Sequence, residues 1–430
     1  MRILIFADSN WRDSFGVALV KHELQKLLPN ARILVSSFDI AFPVVESFKP
    51  HVMLINHVMG KRNRRLSNYV KRQGGLSLIL PTEGVPRSQE VIDWFVEQND
   101  DTRFADAYLS WNNELAQMFS EVETFVTGCP RFDIYQKPYN SLIDSRETFF
   151  GKYNLDPRKG LILFTSSFPQ AKFHYRGKEF NRQDWKDLNV TAVEGNPDEY
   201  AREEYEKLRE YRLWIRIANN YYSDRFNIAV KPHPLEDIVE WQQFCDELSI
   251  PLLKGEYIFN AVTNSDLMIG RTKCLTHADA WLSGTMTIHA LFDKKEDISG
   301  PAKDAINHGY GVTQSAWSLV DQIQYAIDIK DTVYAESEIK NEWWGGYLNP
   351  WGFSVPNSAQ KVAKSVVQLI EEWNPEVRNI ATEDWQRINR VIAQHNAENK
   401  VLKQDGLGHF GKTVTRDIVD DWLMRIREIS

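Results

Sequence analysis

Short apolar runs recur along the first third of the chain, each closed by polar residues: ILIFA at 3–7, RILVSSF at 32–38, HVMLINHV at 51–58 and LSLILPTEG at 76–84. AYLSWN at 107–112 and TFVTGCP at 124–130 extend the series. The runs are too short and too rich in β-branched residues to be long helices, and helical stretches such as 16–28 fall between them. Strand alternating with helix predicts a parallel sheet. From about 140 to 159 the composition turns polar, and a second series then begins: LILFTSS at 161–167, FNIAVKPHP at 226–234, IPLLKG at 250–255, SDLMIGRT at 265–272 and TMTIHALF at 285–292. The pattern therefore predicts two parallel-sheet domains, residues 1–140 and 160–357. Residues 358–430 follow, with amphipathic helices at 359–373, 382–402 and 413–429 that are expected to pack back on the first domain. Between 172 and 225 lies a long segment that starts polar and aromatic and becomes a charged helix at 197–222. That length reads as an insertion beside the site.

Length agrees with this division, since 430 residues and 50.0 kDa suit two or three domains. A hydrophobic share of 43% with 26% charged residues excludes wholesale disorder. Lysine and arginine number 51 against 59 acidic residues, a net charge of −8, which excludes a broad nucleic-acid surface and leaves any anionic ligand to a local cationic pocket. Cys129, Cys245 and Cys274 have no CxxC spacing, so neither a zinc site nor a disulfide framework is indicated, and a reducing compartment fits. No run of 18 apolar residues occurs, and MRILIFAD is too short for a secretory signal. The expected location is the cytoplasm, with peripheral contact with the inner membrane or other assembly enzymes compatible.

The sharpest local feature is Lys231-Pro232-His233-Pro234-Leu235-Glu236, at the carboxyl end of the FNIAV run, where open α/β sheets bind ligands. The prolines remove backbone donors and limit movement, so an imidazole between them suits either a phosphate contact or a rigid turn with a solvated ring. In Gly270-Arg271-Thr272-Lys273-Cys274-Leu275-Thr276 a strand passes into a helix; its hydroxyls suit a phosphate cradle or simple capping, and Arg271 and Lys273 add charge. Ser166 and Ser167 end the first strand of the second series, placed for a phosphate or a turn. Glu83, held among Pro81, Gly84 and Pro86, is a rigidly placed carboxylate fit for a catalytic base or for accepting backbone N–H bonds. Asp8, Ser9, Asn10 and Arg12 form a polar loop leading into a helix. Neither GxGxxG nor GxxxxGK[ST] is present, which disfavours Rossmann dinucleotide and P-loop sites. The run EWWGGYLNPWGF at 342–353 offers flat faces to sugar rings, though packing a linker onto a core is the commoner use.

Together these pieces resemble the GT-B glycosyltransferases, most nearly the bacterial surface carbohydrate biosynthesis proteins and more distantly the sialyl- and Kdo-transferases that use CMP-sugars. Glu83-Gly84, His233-Pro234 and Thr272 to Thr276 stand where those groups carry an acidic-Gly motif, an HP motif and a Ser/Thr motif; Thr82 departs from the acidic pair. The phrase VTGCPRFD at 126–133 is similar to the segment that ends the first domain of such enzymes. The resemblance implies an α/β GT-B fold of two facing Rossmann-like domains, with a nucleotide-sugar donor held by Ser166, Ser167, Lys231, His233, Pro234, Glu236, Arg271, Thr272, Lys273 and Thr276. It implies Glu83 and His233 as catalytic residues, Asp8, Ser9, Asn10 and Arg12 on the acceptor side, a glycan or glycolipid acceptor, and neither cofactor nor metal. Polyol-phosphate polymerases using CDP donors share the plan, and a noncatalytic sugar- or nucleotide-binding scaffold is the reading from another class.

Overall fold

The computed structural model describes residues 1–58, 60–82, 104–117, 122–175, 197–272, 274–292, 311–313, 315–333, 355–373, 384–404 and 413–430. The chain divides into two compact units. Unit 1 takes in Met1–Pro86, Glu90–Leu142 and Leu348–Ser430, and unit 2 chiefly Ile143–Tyr347.

Unit 1 is built on six parallel strands, β1 Arg2–Ala7, β2 Arg32–Ser37, β3 Val52–Ile55, β4 Leu76–Ile79, β5 Ala107–Ser110 and β6 Glu123–Val126, in the order β2-β1-β3-β4-β5-β6. β3 and β4 are buried along their whole length, as expected of strands covered on both faces; β3 is wholly apolar, and β4 is broken only by Ser77, whose hydroxyl accepts from that of Ser67. Helices α1 Asn10–Leu27, α2 Ala41–Phe48, α3 Gly60–Arg72 and α4 Asn113–Gln117 connect them.

Helix α1 starts six residues before the run at 16–28, so the expected polar loop is largely its first turn. The Asp13 carboxylate reaches back to accept from the backbone N–H of Asp8 (3.0 Å) and Ser9 (2.9 Å), satisfying donors that a helix start leaves open. Gly16 serves close packing: a Cβ there would lie 2.9 Å from the backbone nitrogen of Arg131, in the 3₁₀ turn Pro130–Tyr135.

That turn holds Asp133, whose carboxylate accepts from the backbone N–H of Ser358 (3.0 Å) and Ala359 (2.9 Å). It thus caps the helix that follows unit 2 in the chain. Burial raises the Asp133 carboxyl to about 6 from 3.8, although these hydrogen bonds oppose the rise. The folded state therefore binds this proton more tightly than the unfolded one, and the group's contribution to stability grows as pH falls from about 6 toward 4. Asp133→Ala is expected to cost about 1–2 kcal/mol at neutral pH and to remove that slope. Denaturant melts at pH 7 and pH 5 check both.

The C-terminal helices α12 Ser358–Trp373, α13 Trp385–Gln404 and α14 Arg416–Ile429 belong to unit 1. Trp385 packs edge-on against Phe48 of α2 at 5.7 Å. In α14 the buried residues Val419, Trp422, Leu423 and Ile426 follow one helical stripe. Trp422 meets Phe15 of α1 at 5.3 Å and donates through Nε1 to the Ser14 hydroxyl at 3.1 Å.

Unit 2 carries five parallel strands, β7 Gly160–Thr165, β8 Phe226–Lys231, β9 Leu267–Arg271, β10 Met286–Ala290 and β11 Gly311–Thr313, ordered β11-β10-β9-β7-β8. IPLLKG, expected as a strand, makes only one parallel bridge, Val230 with Leu252. Pro251 has no N–H to extend the ladder, and Gly255 turns the chain away at φ +68°. Among the described residues the helices are α5 Arg146–Lys152, α6 Ala171–Tyr175, α7 Pro197–Tyr222, α8 Ile238–Leu248, α9 Ile258–Thr263, α10 Thr276–Leu282 and α11 Ala316–Val333. The buried stripe of α7 runs Ala201, Glu204, Leu208, Tyr211, Ile215, Ala218 and Tyr222. Glu204 is its one carboxylate.

In each sheet the first strand of the unit lies between the second and the third. The connections leave toward opposite sides there, so a crevice opens at the carboxyl ends of β1 and β3 in unit 1 and of β7 and β9 in unit 2.

Candidate functional site

At the unit 2 crevice, Ser166 follows β7, Lys231 ends β8 with Pro232 to Glu236 after it, and Thr272 follows β9. Glu236 joins the first two. Its buried carboxylate accepts from the Ser166 hydroxyl, the Phe168 backbone N–H and Trp241 Nε1, the last at 2.6 Å. Burial raises its pKa against the pull of those three donors. A carboxylate so enclosed is a brace rather than a group facing a ligand.

The brace fixes the loop that carries His233. Leu235 N–H donates to His233 Nδ1 at 3.2 Å, which leaves the ring's proton on Nε2 in the neutral form. His233 is therefore set as a donor through Nε2, and neither Pro232 nor Pro234 has a backbone N–H to compete. Lys231 donates to the Glu256 carbonyl at 2.6 Å. Burial pulls its pKa down to about 8, with Glu256 opposing and Lys152 adding to the fall. Glu256 itself stays below its ordinary value although burial works against it, because Lys152, Asn260 and Tyr153 donate to its carboxylate. Lys172 in α6, a cation outside the sequence reading, donates to the Leu235 carbonyl at 2.8 Å. It brings a second positive charge to the same loop.

The other residues expected at the donor make the following contacts within the protein. Arg271 pairs with buried Glu204 through two hydrogen bonds of 2.6 and 2.8 Å, donates to the Ser167 carbonyl at 3.0 Å and covers the Phe168 ring at 5.1 Å. Its charge, expected at a phosphate, is matched inside the protein. The Thr272 hydroxyl donates to the Ala290 carbonyl at 3.0 Å, and that of Thr276 to Cys274 Sγ at 3.1 Å. Neither threonine caps α10, whose N-cap residue is Leu275. Beneath them His277 is buried, with Nε2 3.3 Å from the Gly270 and Arg271 carbonyls and its ring stacked on His289 at 3.8 Å. Burial lowers its pKa to about 4, so it is a neutral part of the core. Lys273 and Glu83 lie outside the described residues, as do 176–196 and the aromatic run at 342–353.

At the unit 1 crevice Arg12 gathers the polar residues. Its guanidinium donates to Asp13 (2.6 and 3.0 Å), to Asp8 (3.2 Å) and to the hydroxyl of Thr82 (3.2 Å). Burial alone would lower its pKa, but Asp13 and Asp8 more than offset that and hold it above the ordinary value. Arg12 thus links the end of β1, the first turn of α1 and the residue that precedes Glu83. Ser9 and Asn10 are buried beside it, Ser9 as the N-cap residue without a side-chain cap bond.

Two parallel sheets with crevices at their carboxyl ends and helices around them make this chain an α/β protein of the two-domain GT-B fold. Solved structures agree at the level of fold. A protein of Listeria monocytogenes assigned as a UDP-N-acetylglucosamine 2-epimerase superposes with a TM-score of 0.53 at 13% identity, over 86% of this chain and 97% of that one. The wall teichoic acid polymerase TagF gives 0.54 at 12%, over 87% and 90%. The UDP-GlcNAc 2-epimerase of Methanocaldococcus jannaschii gives 0.50 at 12%, over 86% and 100%. No protein-family profile matches the sequence, and no curated protein does.

Proposed function

We propose that the chain is a transferase that takes a cytidine-activated donor at the unit 2 crevice and passes the activated group to a hydroxyl of a surface glycan or glycolipid. The observation that carries this reading is the Lys231 to Glu236 loop: a proline-flanked imidazole with its proton directed to Nε2, braced by Glu236 and accompanied by Lys231 and Lys172. Such a loop donates to a phosphate oxygen and stabilises the charge that grows on it as the bond to the leaving group breaks. In glycosyl transfer from a CMP-sugar, Glu83 takes the proton of the acceptor hydroxyl, the oxygen attacks the anomeric carbon, and CMP leaves. No metal ion enters this scheme, so EDTA should leave transfer unchanged.

A second reading is favoured by the likeness to TagF, one variant of which was soaked with CDPG. In it the acceptor oxygen attacks phosphorus of a CDP-polyol, and CMP is again released. Both readings share the nucleotide. A thermal-shift panel tests it: CMP or CDP at about 100 times Kd should stabilise by about 2.7 kcal/mol, and His233→Ala should remove most of that. Stabilisation by UDP or GDP alone would sink the cytidine assignment, and conversion of UDP-N-acetylglucosamine would replace transfer with epimerisation.

A further inference from the structure

Helix α3 stands apart from the charge balance of the chain. Its thirteen residues, GKRNRRLSNYVKR, hold six lysines and arginines and no carboxylate, in a protein of net charge −8. One face is committed to the core of unit 1: Asn63, Leu66, Ser67 and Val70 are buried, and the Ser67 hydroxyl donates to that of Ser77 at 2.7 Å. Arg64 covers the Phe104 ring at 5.8 Å, and Lys71 pairs with Asp106 at 3.0 Å. The opposite face carries exposed Arg62, Arg65 and Arg72, with half-buried Tyr69 between the last two. Steps of three, four and three residues keep these side chains in one row. Arg62 donates to the Phe38 carbonyl and covers its ring at 4.7 Å, which holds that end in place. Arg65 and Arg72 have no carboxylate partner among the described residues.

We infer that this row is a docking surface by which unit 1 rests on an anionic lipid bilayer. The row spans about 15 Å at 1.5 Å per residue on the convex side of a helix, so its guanidiniums do not converge on one phosphate as those of a pocket would. A planar array of headgroups meets all of them at once, and arginines flanking a tyrosine suit the polar edge of a bilayer. The contact is peripheral: among the described residues no helix is long and apolar enough to cross a membrane. The inference is independent of the donor assignment, because it is read without turnover.

Sedimentation with phosphatidylcholine vesicles, with and without about 30% phosphatidylglycerol, at about 0.1 M salt decides it. The protein should bind the anionic vesicles only and release them at high salt, where the field is screened. At about fivefold in affinity per cation, losing two charges costs about 25-fold, and Arg65→Glu with Arg72→Glu should cost at least that with Tm unchanged. The matching double substitution to lysine should retain binding. Failure to bind anionic vesicles, equal binding to neutral ones, or wild-type binding by the charge-reversed variant overturns the proposal. Binding of soluble polyphosphate in place of vesicles, with the same sensitivity to the variants, overturns it in favour of an anionic polymer.

Discussion

Glu204→Ala is expected to lower the stability of unit 2 by about 3–5 kcal/mol, the usual cost of removing one partner from a buried ion pair. Glu204 is 1% exposed at the side chain and Arg271 13%, so the orphaned guanidinium would remain largely without water. The carboxylate also keeps the amine of Lys207 at 3.5 Å and, with the Tyr211 hydroxyl on the Ile269 carbonyl at 2.8 Å, ties α7 to β9. For a unit of this size the loss corresponds to about 6–20 °C in melting temperature. Calorimetry of the full chain should show it in the transition of unit 2. Glu204→Leu combined with Arg271→Met should recover much of the loss, because an apolar pair of similar volume needs no charge compensation. Should the double variant melt as low as the single one, the hydrogen bond from Arg271 to the Ser167 carbonyl matters more than the pair. If Glu204→Ala melts like the wild type, the account of this anchor is wrong.

Turnover should fall by about 100-fold or more in Glu83→Gln, while cytidine nucleotides continue to stabilise the protein. Glutamine keeps the size and the hydrogen-bond acceptor of the side chain but takes no proton, so chemistry is lost and nucleotide binding is spared. A noncatalytic scaffold would have no turnover to lose. Nucleotide affinity, measured separately, should follow Lys231. With its folded value near 8, the amine is charged below that pH and loses its proton above it, so affinity should decline from about pH 8 upward. Titration calorimetry at pH 6.5 and 9 on wild type and Lys231→Met checks the sign, since the variant should lack the decline. Unchanged kcat in Glu83→Gln would remove this carboxylate from the mechanism and leave the nucleotide assignment standing.

The strands were legible because a parallel sheet covered on both faces is written in largely apolar runs, as in β3 and in the centres of β7 and β9. Helix α7 was legible to its ends, Pro197 and Tyr222. The start of α1 was hidden, because its open backbone donors are met by Asp13 from within the helix and not by a side chain at the N-cap position. IPLLKG shows the opposite failure, since an apolar run does not say whether a neighbour's ladder has room for it. At the site, residue type and strand end were enough to bring Ser166, Lys231, His233 and Glu236 together. They did not distinguish a group that faces a ligand from one that braces the loop, as Glu236 does. Arg271 was expected at a phosphate for its charge at a strand end; its pairing with Glu204, 67 residues away in sequence, was not foreseen. One clue was available: Glu204 interrupts an apolar stripe of α7, and a carboxylate on a buried face requires a cation. The directions of the Thr272 and Thr276 hydroxyls, toward a carbonyl and a sulfur, have no counterpart in the sequence.

The contact of α14 with α1 bears on the order in which the protein takes shape at the ribosome. Val419, Trp422, Leu423 and Ile426 cover a helix made some four hundred residues earlier, while unit 2 is nearly continuous in the chain. During synthesis unit 2 therefore has all its strands before unit 1 is closed. The flank of α1 around Ser14 and Phe15 meanwhile stays uncovered and sticky, as is typical of unfinished domains. Helix α14, made after the strands of both sheets, is the one that seals α1.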